Sequence, residues 1–126
     1  MLLDTHLLLW YAYEPARLPT FAAKQLKQRA APLFVSWASL WELAIKSSLG
    51  RDDFKVDINV LHKTLVKEGF TLLPLSIAHL QKVAALPLIH RDPFDRLLVA
   101  QAAAEGLVLL TCARPLAAYG PMVKVV

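Results

Sequence analysis

The chain has little that would cross-link it, anchor it in a bilayer or bind a nucleotide phosphate. A single cysteine, Cys112, among 126 residues excludes an internal disulfide and suits a reducing cytoplasm. Its four glycines are scattered, so no glycine-rich loop is present to cradle phosphates. No apolar run approaches the roughly 18–20 residues that a membrane span requires. The first residues form a strand-like run without a basic region or a small-residue cleavage site, which argues against a secretory signal. Acidic residues are the minority charge, 10 Asp+Glu against 14 Lys+Arg, for a formal net charge of +4. That excess is compatible with a polyanionic partner but does not demand one.

Apolar residues are abundant: 56% of the chain is hydrophobic and only 19% charged. The length fits one domain, taken as residues 1–126, which buries roughly two-thirds of the surface its unfolded chain exposes. Two arrangements absorb so much apolar side chain. One is a parallel sheet covered on both faces, whose strands read as continuous apolar runs. The other is a surface kept for a partner.

Strand-like and helix-like segments alternate. Leu2-Leu3 is followed by a helical pattern from Leu7 to Tyr13, stopped at Glu14-Pro15. Thr20 reads as the cap of a second helix that Pro32 breaks. Leu33 to Ser36 is a second strand, and Ser36 caps a helix from Trp37 to Leu49 that Gly50 stops. The polar connection Asp52 to Asp57 leads to a helix from Ile58 to Glu68. Phe70 to Leu75 is a third strand, after which Ser76 caps a helix from Ile77 to Leu86. A helix from Arg96 to Glu105 ends at Gly106 and leads into a fully apolar, hence central, strand from Leu107 to Thr111. A last strand, Val123 to Val126, belongs at an edge. The alternation predicts an α/β fold with a central parallel sheet of about five short strands and helices on both faces.

Few acids fall at strand ends or on apolar helical faces: Asp4, Glu42, Asp92 and Asp95. In a parallel sheet the carboxyl ends of the strands form the crevice where ligands sit. Each acid also has a plain structural reading. Asp4 and Asp92 would serve as helix caps, Glu42 as the i,i+4 partner of Lys46, and Asp95 as a first-turn acid facing the helix dipole. If the acids instead converge, they repel one another unless a hard cation such as Mg²⁺ or Mn²⁺ sits between them. Such a site supports water attack on a phosphodiester. On that reading Lys46 points into or beside the cleft and does not pair with Glu42 on an exposed face. His6 and His90 are not read as metal ligands, because no second His or Cys stands at ligand spacing. Trp10, Tyr11, Trp37 and Trp41, with the helix from Phe21, make the N-terminal half richer in large apolar residues than one sheet face needs, and are read as a partner-binding surface. A receiver or phosphoryl-transfer domain fits poorly, since Asp4 is followed by Thr5 and His6 with no acidic pair.

The segments LLDTHLLLW, SWASLWELAIKSSLGR, HRDPFDRLLVAQA, and LLT followed by LAAYG, together resemble the VapC-type toxins of the PIN-domain ribonuclease family, over about residues 1 to 120. The resemblance implies a PIN-like fold and a Mg²⁺-dependent endoribonuclease, with Mn²⁺ as a substitute. It further implies the toxin of a type II toxin–antitoxin pair, usually a homodimer, silenced by a VapB-like antitoxin. The family's first three acids fall on Asp4, Glu42 and Asp95. Thr5, Thr111 and Lys46 match residues that accompany them, and Asp92 is a neighbour of the site. The fourth acid is missing, because its position holds Ala113. Either the site tolerates three acids, or this copy has lost activity, or the aspartate was replaced to spare an expression host. The competing reading is a catalytically inactive PIN-domain module that binds antitoxin or RNA without cleaving.

Overall fold

The sheet is built outward from a strand of two residues. In the computed structural model, which describes residues 1–50 and 55–126, β1 (Leu2–Leu3) lies between β2 (Phe34–Ser36) and β4 (Leu109–Thr111). β3 (Thr71–Leu73) and β5 (Val123–Val125) flank these strands, giving the order β3-β2-β1-β4-β5 with every pairing parallel. Parallel neighbours need crossover helices, and the chain supplies them. They are α1 (Thr5–Tyr13), α2 (Thr20–Gln28), α3 (Trp37–Ser48), α4 (Ile58–Lys67), α5 (Ile77–Ala85) and α6 (Pro93–Glu105). This is the α/β architecture that the alternation predicts.

Side chains alternate across the sheet, so each face has its own core. Leu3, Val35 and Leu110 point to one side, where Leu7 and Leu8 of α1, Leu26 of α2, Leu40 and Leu43 of α3, and Leu61 and Leu65 of α4 meet them. Leu2, Leu73 and Leu109 point to the other, against Leu98, Val99 and Ala102 of α6 and Leu116. Both faces are covered, which is why the strands read as unbroken apolar runs. Among the described residues, no helix is long and apolar enough to cross a membrane.

Several boundaries differ from the sequence expectation. α1 begins at Thr5, two residues early, because Asp4 caps it. Thr20 is not a cap: the Pro19 carbonyl already accepts the Ala23 N–H at 2.9 Å, so the helix starts one residue sooner. α2 ends at Gln28, where Arg29 turns left-handed (φ 52°), and not at Pro32. α6 starts at Pro93 because Asp92 caps it. The strands expected at Phe70–Leu75 and Leu107–Thr111 shrink to β3 and β4 as their ends join neighbouring loops. Residues 51–54 of the expected polar connection lie outside the described residues, while Asp57, at its end, caps α4 by accepting the Val60 N–H at 3.1 Å.

Leu43 has no exposed surface, whereas Trp41, two positions away, is 61% exposed. Leu43→Ala is expected to cost about 2–5 kcal/mol, and Trp41→Ala about 1 kcal/mol or less. Urea unfolding of the two variants checks this, and similar losses in both would refute the assignment of the two faces of α3.

Candidate active site

Asp4 follows β1, Glu42 lies on α3 after β2, and Asp92 and Asp95 stand at the start of α6, before β4. Asp4 continues the ladder beyond β1, its N–H donating to the Leu110 carbonyl at 3.0 Å. Its Oδ1 accepts the Leu7 N–H at 2.8 Å, so the cap reading holds. Its Oδ2 accepts the Thr111 hydroxyl at 2.5 Å, and the Cys112 N–H also faces the carboxylate. Asp4 is only 3% exposed. Burial pushes its carboxyl above the ordinary range, and these donors partly offset the push.

Thr5 joins Asp4 to α3. Its hydroxyl donates to Glu42 Oε1 at 2.8 Å and lies 3.1 Å from the Ser39 hydroxyl. Ser39 is buried one turn before Glu42. The sequence reading missed it, although a small polar residue three positions before an acid on an apolar stripe is the signal. The other Glu42 oxygen pairs with Lys46 Nζ at 3.0 Å. The simple i,i+4 pair therefore exists. It does not sit on an open face, however, because Glu42 is buried. Both residues line an open cleft of about 430 Å³ between α3 and α6, together with Ile45, Arg91, Asp92 and Phe94.

Asp92 caps α6 through Oδ1, which accepts the Phe94 N–H at 2.8 Å and the Asp95 N–H at 3.3 Å. Asp95 Oδ2 lies 3.0 Å from His90 Nε2. Burial lifts the Asp95 carboxyl, the negative charges of Asp92 and Asp4 lift it further, and His90 opposes them. The repulsion from Asp4 places the two acids in one electrostatic neighbourhood. His90 is thus not an idle surface histidine but the partner of an acid. Ala113, at the fourth position, donates its N–H to Thr111 Oγ1 at 3.0 Å and packs against the second core.

The family model of the PIN domain matches residues 1–119. The chain belongs to the PIN domain family. A crystal structure of VapBC2 from Rickettsia felis, bound to a DNA fragment from its promoter, matches this PIN domain with a TM-score of 0.75 at 15% identity, over 99% of this chain and 96% of that one. A toxin–antitoxin complex from Klebsiella pneumoniae gives a TM-score of 0.67 at 17% identity, over 98% and 95% of the two chains. At these identities the likeness is one of fold. No curated protein matches the chain. PIN domains are in general nucleases that use divalent metals, so a nuclease-type hydrolase is the broad class of this one.

Whether the residues of this PIN domain suit such a metal can be judged from their partners. Among the described residues, no three carboxylate, imidazole or thiol groups lie close enough to hold one ion. Glu42 is turned to Thr5 and Lys46, so a three-acid cage is not pre-formed. Asp4 and Asp95 are different: burial raises both carboxyls, and the Asp4 charge lifts Asp95 further, a cost that a cation relieves. Mg²⁺ commonly takes only one or two carboxylates and keeps its waters. The residues fit a hard cation on that pattern.

The partner surface expected in the N-terminal half divides in two. Trp10 lies beneath the Arg17 guanidinium, 5.2 Å from it, and Tyr11 is edge-on to Phe70 with its hydroxyl held by Glu68. Both are half-buried by contacts within the chain. Trp37, Trp41, Ile45 and Leu49 instead form an exposed row at i,i+4 spacing along α3.

Because the Asp95 carboxyl is raised above its unfolded value, its ionised form costs stability. The cost is complete above the folded pKa and absent below the unfolded one. Asp95→Asn is therefore expected to melt higher than the parent near neutral pH, with the advantage fading as pH falls through the raised folded pKa and gone below about 4. Thermal melts across that range measure it, and an advantage that does not change with pH would contradict the assignment.

Proposed function

We propose that this PIN domain, one domain over residues 1–126, is the toxin of a type II toxin–antitoxin pair and a cytoplasmic, metal-dependent endoribonuclease. The observation that carries the reading is that Asp4, buried after β1, and Asp95, half-buried in the first turn of α6, lie near enough for the charge of Asp4 to lift the Asp95 carboxyl. Asp4 and Asp95 would hold a Mg²⁺ or Mn²⁺ ion. Such an ion supplies an activated water and charge stabilisation for phosphodiester hydrolysis. Thr111 and Thr5 fix the carboxylates of Asp4 and Glu42. Lys46 and Arg91 line the cleft beside them, where a polyanionic RNA strand would find cations.

The antitoxin reading is supported by the fold relatives, which are a VapBC assembly and a toxin–antitoxin complex. The exposed row along α3 suits an amphipathic helix of a VapB-like antitoxin. A second apolar surface, with Leu75, Ile77, Leu80, Leu88 and Ile89 exposed around α5, suits a second copy of the chain. Light scattering on the Ile77→Asp, Leu80→Asp double variant is expected to report a monomer where the parent is a dimer. A parent that is monomeric, or a variant that still dimerises, rejects that surface.

A second reading, an inactive module that binds antitoxin or RNA, is favoured by Ala113 alone. Loss of a residue supporting a metal site typically costs 10–100-fold in affinity or activity, and loss of a direct carboxylate ligand should cost at least as much. The chain as it stands is expected to cleave RNA weakly with Mg²⁺ or Mn²⁺, Ala113→Asp to cleave strongly, and Ala113→Asp with Asp4→Asn not at all. Equal, robust cleavage by the first two shows that the acids present suffice. No cleavage by any variant supports the binding module.

A further inference from the structure

We infer that Tyr119 is a positioning residue for the acid site, acting on Asp95 through His90; the inference rests on reading Asp95 as a cation ligand. The Tyr119 hydroxyl, at the end of the 3-10 turn Arg114–Tyr119, accepts the His90 backbone N–H at 3.1 Å and an Arg96 N–H at 3.0 Å. The same guanidinium donates to the carbonyls of Pro87 at 2.9 Å, Val83 at 3.3 Å and Leu86 at 3.5 Å. It thereby ties the last turn of α5 and the two residues after it to α6. From this junction His90 extends its ring to Asp95 Oδ2 at 3.0 Å.

Hydrogen bonds, more than burial, set the path of the segment carrying His90. Leu88 is 78% exposed and Ile89 43% exposed, so the connection from α5 to α6 has little apolar hold on the body. Its fixed points are polar: Arg96 on Pro87, and Tyr119 on His90. Among the described residues, the His90 N–H has no other acceptor. A carboxylate ligand works when its own hydrogen bonds hold its orientation, and the groups that do so influence affinity although they never touch the metal. Here that support has two steps, Tyr119 to the His90 backbone and the His90 ring to Asp95.

Calorimetric titration of the full chain with Mn²⁺ tests this, using Tyr119→Phe, His90→Ala and the double variant. Tyr119→Phe keeps the ring that packs on the second core. It is expected to weaken Mn²⁺ binding by about tenfold, the lower end of the range for such supporting groups. In the His90→Ala background it should produce no further loss, since the two act in series. Unchanged affinity in Tyr119→Phe, or losses that multiply in the double variant, overturns the proposal. A parent chain that binds no Mn²⁺ overturns the reading of Asp95 as a ligand. Positioning is then decided at fixed pH by the His90 imidazole nitrogen resonances. Tyr119→Phe should shift them and Tyr13→Phe should not; resonances unmoved by Tyr119→Phe overturn the proposal.

Discussion

The hydrogen bond from Thr111 to Asp4 joins residues 107 positions apart and closes the rim of the sheet. It does so where the scaffold is thinnest. β1 has only two residues, both with no exposed surface, and its neighbours β2 and β4 have three each. A strand so short cannot aim a side chain by its own length. The direction of Asp4 comes instead from the helix it caps, the Thr111 hydroxyl and the Cys112 N–H. Thr111 Oγ1 in turn accepts the Ala113 N–H, which extends the restraint into the loop after β4. One buried carboxylate thus organises the start of α1, the end of β4 and the turn that follows. Such burial is tolerable only because several donors face it.

The other two acids solve the same problem differently, and the differences divide their roles. Glu42 is buried but neutralised by Lys46 and bonded by Thr5, a stable arrangement that needs no ion. Asp95 has a single imidazole partner against two acidic neighbours, Asp92 and Asp4. The unbalanced charge of the rim therefore gathers between Asp4 and Asp95 and not at Glu42. Glu42 and Lys46 are placed to shape the cleft wall and the path of a substrate. Uncompensated charge concentrated at one point of an otherwise satisfied structure is characteristic of functional sites.

The local features of this arrangement were legible in the sequence. The caps at Ser36, Ser76 and Asp92 bond only two or three residues ahead, so their signal lies within the motif. The alternation of apolar runs with amphipathic segments gave the parallel sheet and its edge strand. Thr20 failed as a cap because the proline before it supplies a helical carbonyl one residue earlier, a backbone choice that residue preference alone does not reveal. The Glu42–Lys46 pair was posed as an alternative to a site residue; the pair forms, and both residues also line the cleft. The junction of Arg96, Tyr119 and His90 spans gaps of 23 and 29 residues. No linear spacing announces it, and it becomes visible only once β4 and the turn after it fold back beside α6.

Position 113 is where fold and chemistry pull in opposite directions. Its backbone is held by Thr111 and its side chain rests on the second core, so the turn keeps its form whether or not a carboxylate is present. An acid there would stand near a rim where burial raises Asp4 and Asp95 and the Asp4 charge lifts Asp95 further. Without a cation, a further negative charge at that point destabilises the fold, and alanine removes the burden. With a cation, the same charge strengthens its hold and supports the attack on phosphate. Alanine at 113 is therefore the favourable choice for the protein without its ion and the unfavourable one for the loaded enzyme. The Thr111 bond to Asp4 and the buried Leu116 hold the turn in place without a carboxylate at 113.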